Sequence, residues 1–445
     1  MLAEIDGCQA EGPSWVESAL VRAEEAQAKL TLSVDVKARI AEARKVWSTL
    51  LFPSSTLEEW KYTNTDSIRQ GFFEVSGIAA SDMEEAKEIL QGVSLGEDCV
   101  PVVFVDGVYS EELSAKEFEQ GVTLTRGVKD GLTRVGSLEK HKTEAFAALS
   151  LALLTDGVEI AIGRGVATSK PISIVYVTTS RGANSVASPR VYVSAEESSQ
   201  SCIVEMHVGA EGVSYLSLPA LEIEAKGNAQ VDHYRIQLES TKAYQVSNAV
   251  ISQQESSTVR THVFSFGSLL ARNHVDFHLE GSNSFGLVNG LSVLAGKQHV
   301  DNATVIHHRA PSAESSEHFK GVYDDESRGG FSGTIIVDQI AQKTNAFQSN
   351  QSLLLSSNAS IETKPQLKIW ADDVKCSHGA TVGQLDKEAM FYLQSRGISR
   401  EDARAFLIHA FASEVVTSVT NQQVRDFVEG QIVLALEQSN STLYR

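Results

Sequence analysis

Three textures of apolar and polar positions follow one another along the chain. In residues 14–50, Val16, Leu20, Ala23 and Leu30, then Val36, Ile40, Ala43 and Trp47, recur at close to helical spacing among charges. That spacing predicts helix over the whole stretch. Pro53 and Ser54-Ser55 end the pattern, and 83–90 reads as another short helix. From about Val100 the period shortens. Residues 102–105, the pair Asp106-Gly107 and then Val108-Tyr109 read as strand, turn and the start of a second strand. A helical interlude falls between Lys140 and Leu154. From Glu159 to about Cys376, short β-rich runs dominate, among them 172–177, 191–193, 203–208, 221–223, 259–266 and 335–337. In 231–238, Tyr234, Ile236 and Leu238 alternate with His233, Arg235 and Gln237, the pattern of a strand with one face buried. Gly, Ser and Asn punctuate these runs. Such a block closes as a sandwich, a barrel or a stacked solenoid, and no clean internal repeat chooses among them.

The last segment returns to helical spacing. Asp386 is placed to cap a helix ending at Ser395, with Gly397 as its stop. Ser399 followed by Asp402 is a second start signal. Ala403, Phe406, Leu407, Ala410 and Phe411 then form one apolar stripe. Val424, Phe427, Ile432 and Leu436 mark a third helix.

Composition narrows the function classes. The 445 residues carry 57 acidic and 38 basic side chains, a net charge of −19, which disfavours nucleic acid and anionic membrane as partners. No run approaches the ~20 apolar residues that cross a bilayer. The N-terminus, Met1 to Gly7, has acids early and neither the basic–apolar sequence of a secretory leader nor an Arg-rich transit segment. A cytoplasmic location is expected, with a plastid stroma the equivalent if a transit peptide has been removed. Cys8, Cys99, Cys202 and Cys376 are widely scattered, which argues against a disulfide framework, a structural zinc site or a resident Cys₄ cluster.

The densest group of chemically versatile residues is Asp372-Asp373-Val374-Lys375-Cys376-Ser377-His378-Gly379. If it is extended, Asp372, Cys376 and His378 share one face. A thiolate and an imidazole so placed suit a thiophilic metal such as iron or zinc, and Lys375 would favour the thiolate. The same spacing equally describes a structural cysteine beside a hydrogen-bonding histidine. His274, His278, His299, His307, His308 and His318 cluster loosely and are expected to be satisfied within the fold. Gly379 to Gly383 lacks the Lys-Ser/Thr of a phosphate loop, and no G-x-S-x-G, HExxH or strand-borne GxGxxG is present. Trp60-Lys61-Tyr62 reads either as an exposed recognition patch or as an aromatic anchor.

Longer motifs carry more. The run from Lys364-Pro365-Gln366-Leu367-Lys368-Ile369-Trp370 through Cys376-Ser377-His378-Gly379 to Gly383 resembles the signature of the SufB/SufD family. Its continuation Met390-Phe391-Tyr392-Leu393-Gln394-Ser395-Arg396-Gly397-Ile398 is similar too. So are Phe331-Ser332-Gly333-Thr334-Ile335, Thr344 to Asn350, and Leu57-Glu58-Glu59-Trp60-Lys61-Tyr62-Thr63. The resemblance implies a mainly β fold, a right-handed parallel β-helix core flanked by N- and C-terminal α-helical regions. It divides the chain into an N-terminal helical region (1–98), the β-helix core (99–383) and a C-terminal helical domain (384–445).

The resemblance also implies a role. It points to a non-catalytic scaffold subunit of iron–sulfur cluster assembly. SufB would be a partner through the β-helix end, the SufC ATPase would dock on the C-terminal helices, and a homodimer would be open to the isolated chain. A transient cluster or iron would be shared with SufB, and none permanently bound. Where SufB-like chains carry a glutamate-rich stretch, this one has Cys376-Ser377-His378. Near the position of Asn350 they carry a sulfur-accepting cysteine, and this chain has none there. Both point to the SufD subtype. His378, with Cys376 beside it, is the cluster or metal candidate. Asp373, Lys375, Phe391, Tyr392, Arg396 and Phe406 are the interface candidates. Lys368 departs from the pattern, standing where an acid is expected. The rival readings are a purely structural brace and a β-helix enzyme acting on polysaccharides. The rival enzyme would need a carboxylate-lined groove, for which Asp324-Asp325-Glu326 is the densest acidic group in the β block.

Overall fold

The computed structural model describes residues 15–75, 83–93, 95–96, 98–138 and 143–442. The N-terminal stretch read for leader features, Cys8, and Lys140 at the start of the helical interlude lie outside them.

The predicted helix over 14–50 is two helices, α1 (Trp15–Gln27) and α2 (Val34–Leu50). Between them the backbone of Thr31 and Ser33 bonds to Gly127 and Leu132, so Leu30 and Leu32 turn inward on an extended connector. Ser33 then caps α2 by accepting from the Val36 N–H. Next come α3 (Asp66–Gln70), the short strand β1 (Glu74–Val75) and α4 (Met83–Gly92). The Asp106-Gly107 signal is a hairpin between β2 (Val100–Val105) and β3 (Val108–Tyr109), both turn residues having positive φ. β4 (Val122–Arg126) and α5 (Ala145–Ala152) precede the main β block.

That block begins with β5 (Asp156–Ile162), β6 (Ile172–Thr178), β7 (Ser185–Ala187), β8 (Pro189–Ala195), β9 (Gln200–Gly209), β10 (Leu216–Ser217) and β11 (Ala220–Ala225). It continues through β12 (Gln230–Leu238), β13 (Tyr244–Gln253), β14 (Thr258–Ser265), β15 (Leu270–Leu279) and β16 (Phe285–Leu294). The last six are β17 (His299–His308), β18 (Glu314–Tyr323), β19 (Arg328–Val337), β20 (Asn345–Leu354), β21 (Ser360–Ile369) and β22 (Lys375–Gly383). From β11 onward successive strands fall alternately in two sheets, whose main paths run β21-β19-β17-β15-β13-β11-β8-β5-β4, with β1, β7 and β10 to the side, and β22-β20-β18-β16-β14-β12-β9-β6-β2-β3. All ladders are parallel except β2 with β3 and β4 with β5. This is a parallel β-helix, the solenoid among the three all-β possibilities. From β5 onward, parallel ladder partners lie from 26 (Tyr244 to Leu270) to 33 (Asp156 to Pro189) residues apart, so the coils vary in length. That variation is why no repeat is visible in the sequence.

The punctuating Ser and Asn residues have a specific job. Ser198, Asn228, Ser256, Asn283 and Ser312, with Lys343, all sit at positive φ on one corner of successive coils. Each donates its backbone N–H to a carbonyl one coil further on, from Ser198 to Gly227 through to Lys343 and Asp373. Short polar residues tolerate this left-handed corner best after glycine.

Both faces of the solenoid wall are covered, which inverts the reading of 231–238. Tyr234 and Ile236 face outward, but they pack with Ile408, Ala412, Val415, Val416, Val428 and Ile432 of the C-terminal helices. His233, Arg235 and Gln237 face the lumen, on the side of Val231 and the inner core, and are fully buried. There His233 Nε2 lies 2.9 Å from Glu205, and His207 stacks on Tyr176 with ring centroids 4.7 Å apart. Burial opposes ionisation of Glu205, yet Arg235 and the His233 bond hold its carboxyl down to about 2. Burial keeps His207 neutral.

The chain closes with α6 (Lys387–Ser395), α7 (Arg400–Val416) and α8 (Gln422–Thr442). Asp386 and Ser399 cap α6 and α7 as expected, and Gly397 has φ 88°. The apolar stripe on α7 differs from expectation. Ala403, Ile408, Ala412, Val415 and Val416 are the buried residues, whereas Phe406 and Ala410 face solvent. The helix is apolar on more than one side, and packing on the solenoid selects the side with the smaller residues. No helix among the described residues is long and apolar enough to cross a membrane.

The Trp60 motif is an anchor. Trp60 is buried against Phe146, with the Arg272 guanidinium 4.1 Å above its ring. Arg272 also donates to the Glu59 carbonyl (2.8 Å) and the Thr63 hydroxyl (3.1 Å), and pairs with buried Asp301, which Thr63 also contacts. Lys364 on β21 pairs with Glu58. One short segment is thus tied to three strands of the first sheet, β15, β17 and β21.

Candidate functional site at the open end of the solenoid

Strands β21 and β22 each end their sheet's order, and no described strand pairs beyond them. Most residues of this last coil are exposed. The Lys375 N–H, at the start of β22, donates to the carbonyl of Thr344, the residue before β20 (2.8 Å). In a parallel ladder alternate residues bond to the same neighbour. Lys375, Ser377, Gly379 and Thr381 therefore turn their backbone groups to β20, while Cys376, His378, Ala380 and Val382 turn theirs to the open side.

The register fixes the side chains as well. His378 continues a column through His233, Thr261, Val288, Glu317 and Gln348. Since His233, Glu317 and Gln348 lie inside the coil, His378 stands on the lumen side of the final turn, at its mouth. Cys376 continues the neighbouring column, above Ala346, and packs half-buried against the inner core. Two expectations are corrected here. Asp372 is in the turn before β22, so only Cys376 and His378 share the face. Lys375 points to the other face, and burial pushes the Cys376 thiol up, so the thiolate is not favoured.

Beneath His378 lies a buried polar group that the sequence did not reveal. Glu317 accepts from Gln348 Nε2 (2.6 Å) and from the Thr304 hydroxyl. Burial pushes its carboxyl up to about 7, against the pull of these two bonds. Gln348 is fully buried, and its Oε1 has no partner. Asn350, also buried, is in the adjacent lumen column. The signal for these residues was present only as alternation, and the register that stacks them is set by coil lengths.

The interface candidates fall in two places. Asp373 and Lys375 are exposed at the mouth, where the Asp373 carbonyl accepts from Lys343. Phe391, Tyr392 and Phe406 are 72 %, 58 % and 59 % exposed, on α6 and α7. No residue of α6 is buried, and Phe391 and Tyr392 line an open depression of about 710 Å³. Arg396 lies with its guanidinium 5.2 Å from the Tyr392 ring. The acidic triplet serves structure: Asp324 pairs with Arg404 (2.8 Å) and Asp325 accepts from the Gly296 N–H (2.9 Å). His307 on the outer face is engaged too, with Asp338 at 2.9 Å. Among the described residues no group of three or more His, Cys, Asp or Glu is disposed to hold a metal ion.

Residues 176–411 match the family described as SUF system FeS cluster assembly, SufBD core domain. The iron–sulfur cluster assembly protein SufD of Escherichia coli is 30% identical over 383 residues, covering 85% of this chain and 88% of that one. A SufBD family iron–sulfur cluster assembly protein of Synechocystis is 30% identical, covering 85% and 86%. SufD of Bacillus subtilis is 25% identical, covering 74% and 73%.

Proposed function

Since the chain belongs to the SufBD family of iron–sulfur cluster assembly proteins, we propose that it is the SufD-type scaffold subunit of an assembly containing SufB and the SufC ATPase. It performs no chemistry of its own in this reading. It holds an assembly surface on which iron and sulfide become a nascent cluster, the cargo of the complex.

The observation that carries the reading is the unpaired end of the solenoid with His378 on its lumen side. A parallel β-helix end that leaves two strands without neighbours offers a ready edge for another chain. SufB, with its own β-helix end, would pair there. His378 would then supply one imidazole to iron or to the forming cluster, the other ligands coming from SufB. Cys376 would line the same junction. SufC would dock on the exposed face of α6 and α7 that carries Phe391, Tyr392, Arg396 and Phe406. Its nucleotide-driven movement would reach the solenoid through α7, whose Glu414 and Phe411 carbonyl hold the buried Lys320 of β18.

The test is His378→Ala in the co-purified three-protein complex, assayed for iron and sulfide. The side chain is exposed at the mouth, so the fold and complex formation are expected to persist and cluster content to fall severalfold. Normal cluster content in the variant sinks the ligand role. The pairing geometry has its own test. Ala380→Pro removes an N–H that faces the open side and spares the bonds to β20. It is expected to weaken SufB association by at least about tenfold, the effect of losing ~1.4 kcal/mol of edge pairing. An unchanged dissociation constant in analytical ultracentrifugation would refute pairing through this edge; self-association of the isolated chain is read in the same runs.

One observation favours the brace reading for Cys376 alone. Its half-burial and raised thiol suit packing better than ligation.

A further inference from the structure

The buried group beneath the mouth has geometry that bears on His378, given the proposed role of that residue. Gln348 is its ladder partner on the preceding strand, and its amide is held on one side only. Nε2 donates to Glu317 Oε2, and Glu317 Oε1 is occupied by Thr304. The absence of a side chain at Gly333 makes room for this amide, since a Cβ there would collide with Gln348 Nε2. Above the value of about 7 to which burial raises Glu317, its carboxylate accepts and does not donate, and the bond to it then fixes which end of the amide is which. The carbonyl oxygen is left as a fully buried acceptor with no donor, at the level where the lumen opens. Leaving such a group unmade costs ~1–3 kcal/mol, so a donor is owed to it.

We propose that Gln348 is a positioning residue for His378: its Oε1 accepts the N–H of one imidazole nitrogen, which fixes the tautomer and leaves the other nitrogen free, facing out of the solenoid mouth. Histidine ligands are oriented in this way by an acceptor behind the ring. Glu317 and Thr304 act one step further back, by holding the Gln348 amide in the orientation that presents oxygen. The polarity runs in one direction. Thr304 and Gln348 donate to Glu317, and His378 donates to Gln348.

The tautomer itself is the readout. Full-length deuterated protein with ¹⁵N-histidine is measured at pH 8 and pH 9, above the value of about 7 to which burial raises Glu317, by long-range ¹H–¹⁵N correlation. His378→Ala identifies the signals. In the wild type one tautomer of His378 is expected to dominate by about fivefold or more, the ratio for one net hydrogen bond. Gln348→Met, which keeps length and removes the acceptor, is expected to abolish that preference. Glu317→Gln is expected to reverse it, because its amide donates to Gln348 and turns the Gln348 NH₂ toward the ring. This isosteric variant decides the matter if Gln348→Met does not fold. A wild type without preference, or unchanged populations in the folded variants, overturns the proposal. Cluster assembly by the His378→Ala complex is a separate outcome: it would end the ligand role and leave the tautomer result standing.

Discussion

Truncation after Gly383 is expected to abolish the soluble fold as well as the docking of an ATPase partner. The C-terminal helices complete a core. The outer face of the second sheet presents Val204, Met206, Tyr234, Ile236, Phe264, Leu291, Val293 and Val322, and these pack with Ile408, Ala412, Val415, Val416, Val428 and Ile432. Burying one large apolar side chain is worth ~1.5–3 kcal/mol. Exposing about six of them removes on the order of 10 kcal/mol, which is comparable to the whole stability of an ordinary domain. The loss extends to polar groups. Lys320 would be deprived of Glu414 and the Phe411 carbonyl, and Tyr234 of its bond to Thr420 (2.7 Å). Aggregation and strong binding of a hydrophobic dye are the expected signs. A truncated chain that stays monomeric and melts cooperatively would contradict the packing described. Loss of SufC binding after truncation is therefore uninformative, and the docking face is better tested by Phe391→Asp with Phe406→Asp. Both residues are exposed, so the melting temperature should hardly move, while SufC affinity should fall at least about tenfold, as for central aromatic anchors.

The second large effect is expected at the other end of the chain. Asp301→Ala leaves the Arg272 guanidinium buried beside Trp60 without its counter-ion. Removing one partner of a buried pair costs ~3–5 kcal/mol, because the remaining charge is uncompensated. Arg272 is 1 % exposed and cannot swing to water without leaving the Trp60 ring. The Thr63 hydroxyl loses its acceptor in the same change. A shift of the urea midpoint at constant slope would measure the loss. A change below about 1 kcal/mol would mean that the motif 57–63 is not held by this pair. Exchanging the pair for apolar residues of similar size, Arg272→Met with Asp301→Leu, should be less damaging than the single change.

What the sequence disclosed depended on range. Local signals held: the Asp386 and Ser399 caps, the Asp106-Gly107 hairpin and the strand runs are where spacing predicted them. Each rests on interactions within a few residues. What failed depends on partners far along the chain. Trp60 could be read as patch or anchor, because Arg272, which decides it, is 212 residues away. The alternation in β12 named the two faces correctly but not that neither meets solvent. A helix nearly two hundred residues later covers the apolar face, and the coil encloses the polar one. Asp372 was drawn into the Cys376–His378 face by assuming one continuous strand, and a turn separates them. Gln348 and Glu317 lay in plain view, yet only the 31-residue offset between them stacks one on the other. At the site, the motif placed His378 and Cys376, and the fold supplied the lumen, the open edge and the group behind the ring.

The two ends of the solenoid are unlike, and this limits the valency of the chain. At one end β2 folds back into the antiparallel β3, and β4 runs antiparallel over β5, so the coil cannot be continued there in parallel register. At the other, β21 and β22 are bare, and β21 carries Pro365, which has no N–H to give. A coil with two bare ends would add subunits head to tail without limit, as open heterologous contacts do. With one bare end among the described strands, pairing through it in the proposed way would stop at two solenoids instead of growing into an open rod.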